Sequence, residues 1–327
     1  MILAGDVGGT KCNLALFAEQ NGELAVVAQE RFPSQKYAGF DQVIAEFLQG
    51  VRLRLIGQPI QAAGFGVAGP VVHNQVKATN LPWVVDGLAL AKMLGVPRVV
   101  LLNDLGATAH SIAHLKTNDF FTLNGGVAES EAPKAVIAAG TGLGEAMLFW
   151  DGRMYRVAAT EGGHTDLAPN TEQQIELWRF MRKRAPHVSW ELVLSGRGFK
   201  TIHEFLDPAM RHPSFDDPAA DPAPEIARGG LARSCPVCVA TLDLWCAMYG
   251  SEAGNLAMRT LALGGVYVAG GIAVKLLEKL KDGTFFNAFC EKEAFGEMLR
   301  RIPIRVILNE AAPLLGAAYQ ALAAIRP

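Results

Sequence analysis

A glycine-rich turn between two strands occurs twice in this chain, and the repeat limits the possible folds more than any other feature. The first turn, Gly5-Asp6-Val7-Gly8-Gly9-Thr10, follows an apolar run, and the alternation in residues 11–17 predicts a strand after it. Residues 135–159 repeat this order, from apolar run to glycine turn, alternating strand, Asp-Gly turn and third strand. Two equivalent βββ units predict an α/β protein built by duplication.

Both glycine turns are candidates for binding phosphate. Glycines in series let backbone N–H groups converge on an anion, because no Cβ blocks close approach. The first turn is neither a Walker nor a dinucleotide loop, since both of those lead into a helix. The candidate residues are Gly8, Gly9 and Thr10 in the first turn and Gly140, Thr141, Gly142 and Gly144 in the second.

Asp6 is an unusual residue for a phosphate turn. A carboxylate repels a phosphate unless a cation stands between them, so Asp6 predicts Mg²⁺, held through water.

Strands and helices alternate outside the two repeated units, which predicts a parallel extension of each sheet. We expect strands at 63–67, 98–102 and 266–269, and helices at 88–94, from near Ala107, at 239–262, at 273–280 and at 313–324. The last helix is expected to return to the first lobe. Residues 207–226 are rich in proline and aspartate and predict a surface loop or a loose insertion.

Composition narrows the class of protein. The chain has 327 residues, of which 50% are hydrophobic and 19% charged, so we expect a globular protein of two domains. The net charge of -2 and the lack of a long basic run argue against nucleic acid or a membrane surface as a partner. A strand begins almost at Met1, with no signal segment before it, so we expect a cytoplasmic protein.

The five cysteines fit a reducing compartment, but the motif Cys235-Pro-Val-Cys238 requires separate interpretation. A metal site would need two more ligands at matching spacing, and Cys246 on an apolar stretch does not complete one. We interpret the pair as structural or incidental thiols, with zinc binding and redox chemistry as the alternatives.

Four segments together resemble the phosphate, adenosine and connecting motifs of the actin-like sugar kinase superfamily. They are DVGGT at 6–10, AGTGLG at 139–144, AGG at 269–271 and LLGAA at 314–318. Within that superfamily, LLNDLGATAHSI, EGGHTDLAP and ELVLSGRG closely resemble bacterial glucokinases of the proteobacterial type. The ROK sugar kinases share two of these patterns but carry a cysteine-rich zinc motif after the histidine. Residues 165–171 contain no cysteine, so the resemblance is to the branch outside ROK.

The resemblance implies a fold and a set of ligands. It implies two actin-like, ribonuclease H-like lobes with a duplicated βββαβα core and a cleft between them. The domains would be a small one at 1–113, completed by the C-terminal helix 312–327, and a large one at 114–311. It also implies ATP and Mg²⁺ as cofactors, adds Gly270 and Gly271 to the nucleotide-binding residues, and implies a homodimer.

Asn103 and Asp104 lie where open α/β sheets place ligand-binding groups, after an apolar strand and before a helix. The alternative is a helix N-cap, which both residue types favour. The resemblance makes Asp104 the catalytic base that accepts the proton of the sugar 6-hydroxyl, while Asn103 binds a neighbouring hydroxyl.

The resemblance places three more residues around the hexose, namely Glu161, His164 and Glu191. Carboxylates and an imidazole suit a neutral sugar, whose hydroxyls both donate and accept. The alternatives are a loop histidine without a role and a carboxylate at a helix start. Asn80 lies in a stretch that the family keeps near the sugar, whereas Trp83 is predicted to pack in the core. Arg197 replaces a proline that is frequent in the family, which leaves its loop freer.

The predicted activity is ATP-dependent phosphorylation of D-glucose at the 6-hydroxyl to glucose 6-phosphate, which feeds glycolysis. Its partners would be D-glucose and ATP. The alternatives are a kinase for another hexose or amino-hexose, and a sugar-sensing regulator that binds without turnover.

Overall fold

The computed structural model describes residues 1–79, 81–208 and 221–326 of the chain. The chain divides into two compact units, Met1–Asp119 with Asn309–Pro327, and Phe120–Leu308. Each unit contains a β-sheet of its own. The domain limits predicted above, at 113/114 and 311/312, stay predictions.

The first unit contains eight strands and four α-helices within its described residues. They are β1 (Ile2–Val7), β2 (Lys11–Gln20), β3 (Glu23–Pro33), α1 (Phe40–Gly50), β4 (Ala62–Val67), β5 (Val71–Val72), β6 (Gln75–Lys77), β7 (Val84–Asp86), α2 (Gly87–Leu94), β8 (Val99–Asn103), α3 (Asp104–Ser111) and α13 (Ala312–Ala323). Short 3₁₀ helices lie at Ser34–Lys36, Arg52–Leu55 and Thr117–Asp119.

The second unit carries the remaining described elements. They are β9 (Phe120–Asn124), β10 (Lys134–Ala139), β11 (Leu143–Trp150), β12 (Tyr155–Thr160), α4 (Glu172–Arg182), α5 (Trp190–Val193), α6 (Gly196–Leu206), α7 (Ala223–Leu231), α8 (Pro236–Thr260), β13 (Val266–Ala269), α9 (Gly271–Lys275), α10 (Leu277–Leu280), α11 (Thr284–Cys290), α12 (Gly296–Arg300) and β14 (Ile304–Ile307). Short 3₁₀ helices lie at Gly162–His164 and Glu293–Phe295.

The main sheet of the first unit has the strand order β3-β2-β1-β4-β8. β1, β2 and β3 pair antiparallel, and the turn between β2 and β3 uses Asn21 and Gly22 at φ of 53° and 85°, as a two-residue hairpin requires. β1, β4 and β8 pair parallel, with Val7 opposite Val67 and Val67 opposite Asn103. The carboxyl ends of the three parallel strands therefore meet at one edge of the sheet.

The main sheet of the second unit has the order β12-β11-β10-β13-β14-β9. As in the first unit, the first three strands of the sheet, here β10, β11 and β12, pair antiparallel, and β10, β13 and β14 pair parallel. Strand β9 is added antiparallel to β14 at the far edge. The same topology in both sheets confirms the predicted duplication and the α/β class. Sheets of mixed direction arise here because each unit joins tight hairpins to helical crossovers.

The core of the first unit lies on both faces of its sheet. Phe47 and Phe65 are buried on one face together with Trp83, which stacks on Phe40 with ring centroids 6.2 Å apart. Trp83 is therefore a core residue, as predicted. Small side chains of α3 and α13 fill the other face.

In the second unit the 25-residue helix α8 forms the centre of the core. Its Tyr249 is wholly buried and donates a hydrogen bond to the carbonyl of Ile137 over 3.3 Å, which ties the helix to strand β10.

Helix α13 lies so close to β4 and α3 that backbone approaches backbone without side chains between them. A Cβ on Gly64 would overlap the carbonyl oxygen of Ala317, and a Cβ on Gly316 would overlap that of Ala107. Glycine is therefore required at both positions for the helix to approach the strand and its neighbouring helix. Since α3 begins at Asp104, this contact also fixes the position of that residue.

Three of the predicted elements need correction. Helix α3 begins at Asp104 rather than near Ala107, because Asn103 caps it. The predicted helix at 273–280 is two short helices, which break at Leu276 with φ of −100° and ψ of 19°. The end of the predicted loop at 207–226 is helical from Ala223, where a proline fits the first turn. Residues 209–220 of that loop lie outside the described residues.

Among the described residues no single helix has the length and hydrophobicity of a membrane span. Helices α7 and α8 meet that criterion only when taken together, and they bend by 101° at the break between them.

Replacing Gly316 by alanine is expected to destabilise the protein by at least about 2 kcal/mol, because the backbone of α3 must move to admit the methyl group. In an ordinary helix the same change stabilises by about 0.5–1 kcal/mol. Urea unfolding followed by circular dichroism measures the difference.

The matched control is Gly50→Ala at the end of α1, where the added Cβ would meet only a side-chain oxygen at 3.7 Å. It should leave stability unchanged or raise it. Equal stability of the two variants would contradict the close-contact interpretation.

Candidate functional site

Hydrogen bonds from Ser34 hold the first glycine turn in place. The N–H of Gly8 donates to the carbonyl of Lys11 over 3.0 Å and closes the turn. The wholly buried Ser34 donates its hydroxyl to the carbonyl of Gly8 over 2.7 Å, and its own N–H to that of Thr10 over 3.1 Å. Gly9 is half-buried and Thr10 is exposed, so both residues can be reached from the surface of the turn.

Asp6 lies at the end of a chain of polar contacts. Arg31 donates from Nε to Oδ1 of Asn13 over 2.9 Å, and Asn13 donates from Nδ2 to Oδ2 of Asp6 over 3.1 Å. Burial raises the pKa of Asp6 to about 6, and the negative charge of Asp104 adds to the rise, while the hydrogen bond from Asn13 opposes it. A cation beside Asp6 would relieve both unfavourable contributions, so this carboxylate fits a Mg²⁺ site.

Asn103 is the N-cap of α3, so the capping alternative is correct for this residue. Its Oδ1 accepts the N–H groups of Leu105 and Gly106 over 3.0 and 3.1 Å, and its Nδ2 donates to the carbonyl of Gly69 over 3.3 Å. An amide carries two N–H donors, and within the described part of the chain only one of them, the donor to Gly69, has a partner, so the other can bind a ligand. Capping does not exclude the predicted contact with a sugar hydroxyl.

Asp104 occupies the first turn of α3, at the edge where β8 ends. Its Oδ1 accepts the N–H of Leu105 over 2.8 Å. Burial raises the pKa of Asp104, although this hydrogen bond and the helix N-terminus favour the charged form. A carboxylate with a raised pKa and a second oxygen free of this bond is suited to accept a proton near neutral pH.

In the second unit Glu191 supports the glycine turn between β10 and β11. The N–H of Gly140 donates to the carbonyl of Gly142 over 2.8 Å, and the N–H of Leu143 donates to Oε2 of Glu191 over 3.1 Å. A Cβ on Gly142 would overlap the same carboxylate. Glu191 also lies in the first turn of α5, as the alternative to sugar binding anticipated.

The structure brings Glu191 together with two other residues that the sequence singled out. Nε2 of His164 lies 3.8 Å from one carboxylate oxygen of Glu191, and a guanidinium nitrogen of Arg197 lies 3.9 Å from the other. The side chain of Glu191 is 19% exposed, against 59% for His164 and 78% for Arg197. Arg197 thus adds a positive charge beside Glu191 at the position where the family often has a proline.

The loop at Glu161–His164 lies against the start of β11. A Cβ on Gly163 would overlap the carbonyl of Leu143, and one on Gly162 would overlap the carboxylate of Glu145. Glycine is therefore required at position 163, where the neighbour is backbone, whereas the side chains of Glu161 and His164 are exposed.

Glu145 is a supporting residue that the sequence did not reveal. It is 1% exposed, and its carboxylate meets Arg259, which also pairs with the buried Glu252. Burial raises the pKa of Glu145, and the neighbouring Glu252 raises it further. No local pattern indicates such a residue, because its partners lie far away in the chain.

Gly270 and Gly271 lie beside the second glycine turn. β10 and β13 pair in parallel with Ala138 opposite Ala269, so both segments follow the same edge of the sheet. Gly270 has φ of 89°, and a Cβ there would overlap the carbonyl of Ala139. Gly144 instead lies within β11, paired with Ala138. Asn80 lies outside the described residues.

The two sheets have the same topology, and each carries a glycine turn where its first parallel strand ends, which is the arrangement of the actin-like ATPase fold to which sugar kinases belong. A family model described as glucokinase matches residues 3–324. A glucokinase of Trichormus variabilis is 36% identical over 337 residues, which cover 97% of this chain and 98% of that protein. The chain therefore belongs to the glucokinase family, and the family resemblance of its motifs is confirmed.

Solved structures agree with this assignment. The crystal structure of a glucokinase from an Antarctic psychrotroph has a TM-score of 0.85 and 29% identity, with 98% of each chain covered. A ROK family glucokinase from Streptomyces griseus, solved in complex with glucose and AMPPNP, has a TM-score of 0.67 and 19% identity, with 98% of this chain and 99% of that chain covered. The second likeness shows the shared fold.

Asp6→Asn is expected to stabilise the protein at neutral pH. The folded protein binds the proton of Asp6 more tightly than the unfolded chain does, so stability falls as pH rises from about 4 to about 6. The asparagine side chain does not ionise, so the variant keeps its stability as pH rises. It should therefore be more stable than the wild-type protein at pH 7 by about 1–3 kcal/mol.

The measurement is urea unfolding of both proteins between pH 4 and 8. The gain should vanish toward the acid end, where Asp6 is protonated in both states. The exposed Asp41→Asn serves as control and should change stability by less than about 0.5 kcal/mol throughout. A gain of the same size at every pH would contradict the role of ionisation.

Proposed function

We propose that the protein transfers the γ-phosphoryl group of ATP to the 6-hydroxyl of D-glucose. The observation that carries this proposal is the family match along nearly the whole chain, together with a half-buried carboxylate at the start of α3. The product would be glucose 6-phosphate, which feeds glycolysis. A reaction that consumes ATP also supports the proposed cytoplasmic location.

Asp104 would act as the general base. In phosphoryl transfer the protein mainly positions the reactants and stabilises charge, and a base accepts the proton of the attacking hydroxyl. Asp104 has one oxygen bound to the helix N-terminus through the N–H of Leu105, which holds the carboxylate in place. The other oxygen would take the proton of the 6-hydroxyl as the sugar oxygen bonds to phosphorus. The remaining N–H of Asn103 would bind a neighbouring hydroxyl.

The glycine turns would bind the phosphates of ATP through backbone N–H groups. In the first unit these residues are Gly8, Gly9 and Thr10, and in the second Gly140, Thr141 and Gly142, with Gly270 and Gly271 nearby. Asp6 would hold Mg²⁺ through water, and the ion when bound would neutralise phosphate charge. The half-buried Asp6 and the negative Asp104 near it support this assignment.

Glu161, His164 and Glu191 would bind the sugar hydroxyls. Glu161 and His164 are exposed on a loop that its two glycines hold against β11. Glu191 uses one oxygen for the glycine turn and lies near His164, and Glu161 belongs to the same short loop as His164, so the three would offer acceptors and a donor. Such a cluster suits a neutral polyol. We also propose a homodimer, which light scattering coupled to gel filtration would test.

A coupled assay with glucose and ATP tests the proposal directly. Glucose-dependent formation of glucose 6-phosphate and ADP supports it. Binding of glucose without turnover would instead indicate a sugar-sensing regulator. Higher kcat/KM with another hexose or amino-hexose would keep the kinase class and replace the substrate.

Asp104→Asn should lower kcat by about 10²- to 10⁴-fold while glucose still binds, because the amide keeps the shape of the carboxyl group but cannot accept the proton. The coupled assay gives kcat, and calorimetry gives glucose binding. In the wild-type protein kcat/KM should fall with decreasing pH through a pKa above the ordinary range of an aspartic acid.

The exposed Asp41→Asn is the matched control and should keep full turnover. A kcat near that of the wild type in Asp104→Asn would exclude Asp104 as the base.

The proposed sugar-binding residues Glu161, His164 and Glu191 predict strict specificity for glucose. A site that hydrogen-bonds a hydroxyl rejects an analogue that lacks or misplaces it, because polar groups that the bound sugar covers are then unpaired at a cost of about 1–3 kcal/mol each. Mannose and galactose should be weak substrates, and N-acetylglucosamine and N-acetylmannosamine poor ones. Glu161→Gln should raise KM for glucose and reduce this preference, since an amide N–H replaces an acceptor.

A panel of these sugars, measured as kcat/KM, checks the prediction. The control is Glu172→Gln, an exposed change at the start of α4 that should leave the panel unchanged. If N-acetylmannosamine were used as well as glucose, the substrate assignment would be wrong, and only a hexose kinase would remain.

A further inference from the structure

A histidine and two cysteines meet among the helices of the second unit. His203 lies in the last turn of α6, Cys235 is the N-cap of α8, and Cys238 lies in the first turn of α8. Their ligand atoms, one ring nitrogen and two sulfurs, all lie within 4.8 Å of one another. His203 and Cys238 are 0% exposed, and Cys235 is half-buried.

The sequence builds the sulfur pair locally. Pro236 starts α8, and the N–H of Cys238 donates to Sγ of Cys235 over 3.4 Å, as at a helix N-cap. This turn places both sulfurs on one side of the helix start. Gly229 of α7 passes close by, where a Cβ would lie 3.3 Å from Sγ of Cys238. A larger side chain there would press on the pair.

We propose that His203, Cys235 and Cys238 form a Zn²⁺ site with a water as the fourth ligand. Tetrahedral zinc with bonds of about 2.3 Å to sulfur and 2.0–2.1 Å to nitrogen places its ligand atoms roughly 3.6–3.8 Å apart. The observed grouping reaches that geometry with side-chain movements of about 1 Å or less. The half-buried Cys235 leaves a side from which water can reach the ion.

The charges and protons of the proposed zinc site can be accounted for in full. Zn²⁺ binds two thiolates and a neutral imidazole, so two protons leave the cysteines and the ion with its protein ligands carries no net charge. Because zinc displaces these two protons, its binding should strengthen as pH rises.

The histidine distinguishes this site from a redox pair. A Cys-x-x-Cys pair at a helix start is also the arrangement of a reversible disulfide. A disulfide needs no third side chain, whereas a zinc site does, and a wholly buried imidazole with a ring nitrogen within 4.8 Å of both sulfurs supplies it. The sequence alone does not indicate His203 as a ligand, because the proline-rich stretch separates it from the cysteines.

A metal at this position would fasten the last turn of α6 to the start of α8. The opposite end of α6 begins at Gly196, whose N–H donates to the carbonyl of Gly140 in the glycine turn over 2.9 Å. Zinc would thus stiffen a helix that supports the turn, in a chain that has Arg197 rather than proline at the helix start. The site contributes to stability and takes no part in the reaction.

The experiment uses the full chain, purified without added metal or chelator and then stripped. We expect one Zn²⁺ per chain by elemental analysis after Zn²⁺ is returned, and a higher melting temperature than that of the stripped protein. Co²⁺ as a probe should give the charge-transfer absorption of thiolate ligands. Cys235→Ser should abolish these results, and because serine is a good N-cap, α8 should keep its start.

The matched control is Cys246→Ser, which removes another buried thiol of α8 and should bind zinc as the wild type does. His203→Gln should weaken zinc binding by more than the roughly 10- to 100-fold that loss of an outer-sphere partner costs. The proposal is overturned if the reduced wild-type protein binds no zinc, or if Cys235→Ser binds it equally well. It is also overturned if the two thiols are found as a disulfide and the reduced protein binds no zinc.

Discussion

Close contact between backbones at glycine positions is the constraint on which each unit depends. In the first unit Gly64 and Gly316 allow α13 to touch β4 and α3. In the second unit a Cβ on Gly198 would overlap the carbonyl of Val193, and one on Gly163 that of Leu143. Cores are packed at nearly crystalline density, so the elements cannot shift to admit even one methyl group without cost. The turns and loops that carry the candidate site inherit their positions from these contacts.

Several candidate site residues also hold the structure together. Asn103 caps α3 with its oxygen and uses one amide hydrogen for the carbonyl of Gly69. Glu191 holds the second glycine turn through the N–H of Leu143. A side chain already fixed by its neighbours loses little conformational freedom when a ligand binds, which favours precise recognition. Loss of activity on changing such a residue therefore needs a measurement of folding beside it.

The sequence predicted those features that arise from neighbouring residues. The repeated hairpins, the strand at 266–269 and the capping alternative for Asn103 follow from local patterns, and the structure contains all three. The roles of the site residues stay predictions. Ser34, Glu145 and His203 could not be found, because each meets its partners across long stretches of chain and no spacing rule connects them.

The position of Glu191 has a thermodynamic consequence. One carboxylate oxygen accepts the N–H of Leu143 behind the glycine turn, while His164 and Arg197 lie around the rest of the group. Any movement of this carboxylate toward a sugar changes the support of the turn that is proposed to bind phosphate. By linkage, two ligands that share such a group alter each other's affinity by the same factor. Sugar and nucleotide would then bind interdependently, through a single side chain and without any large rearrangement of this unit.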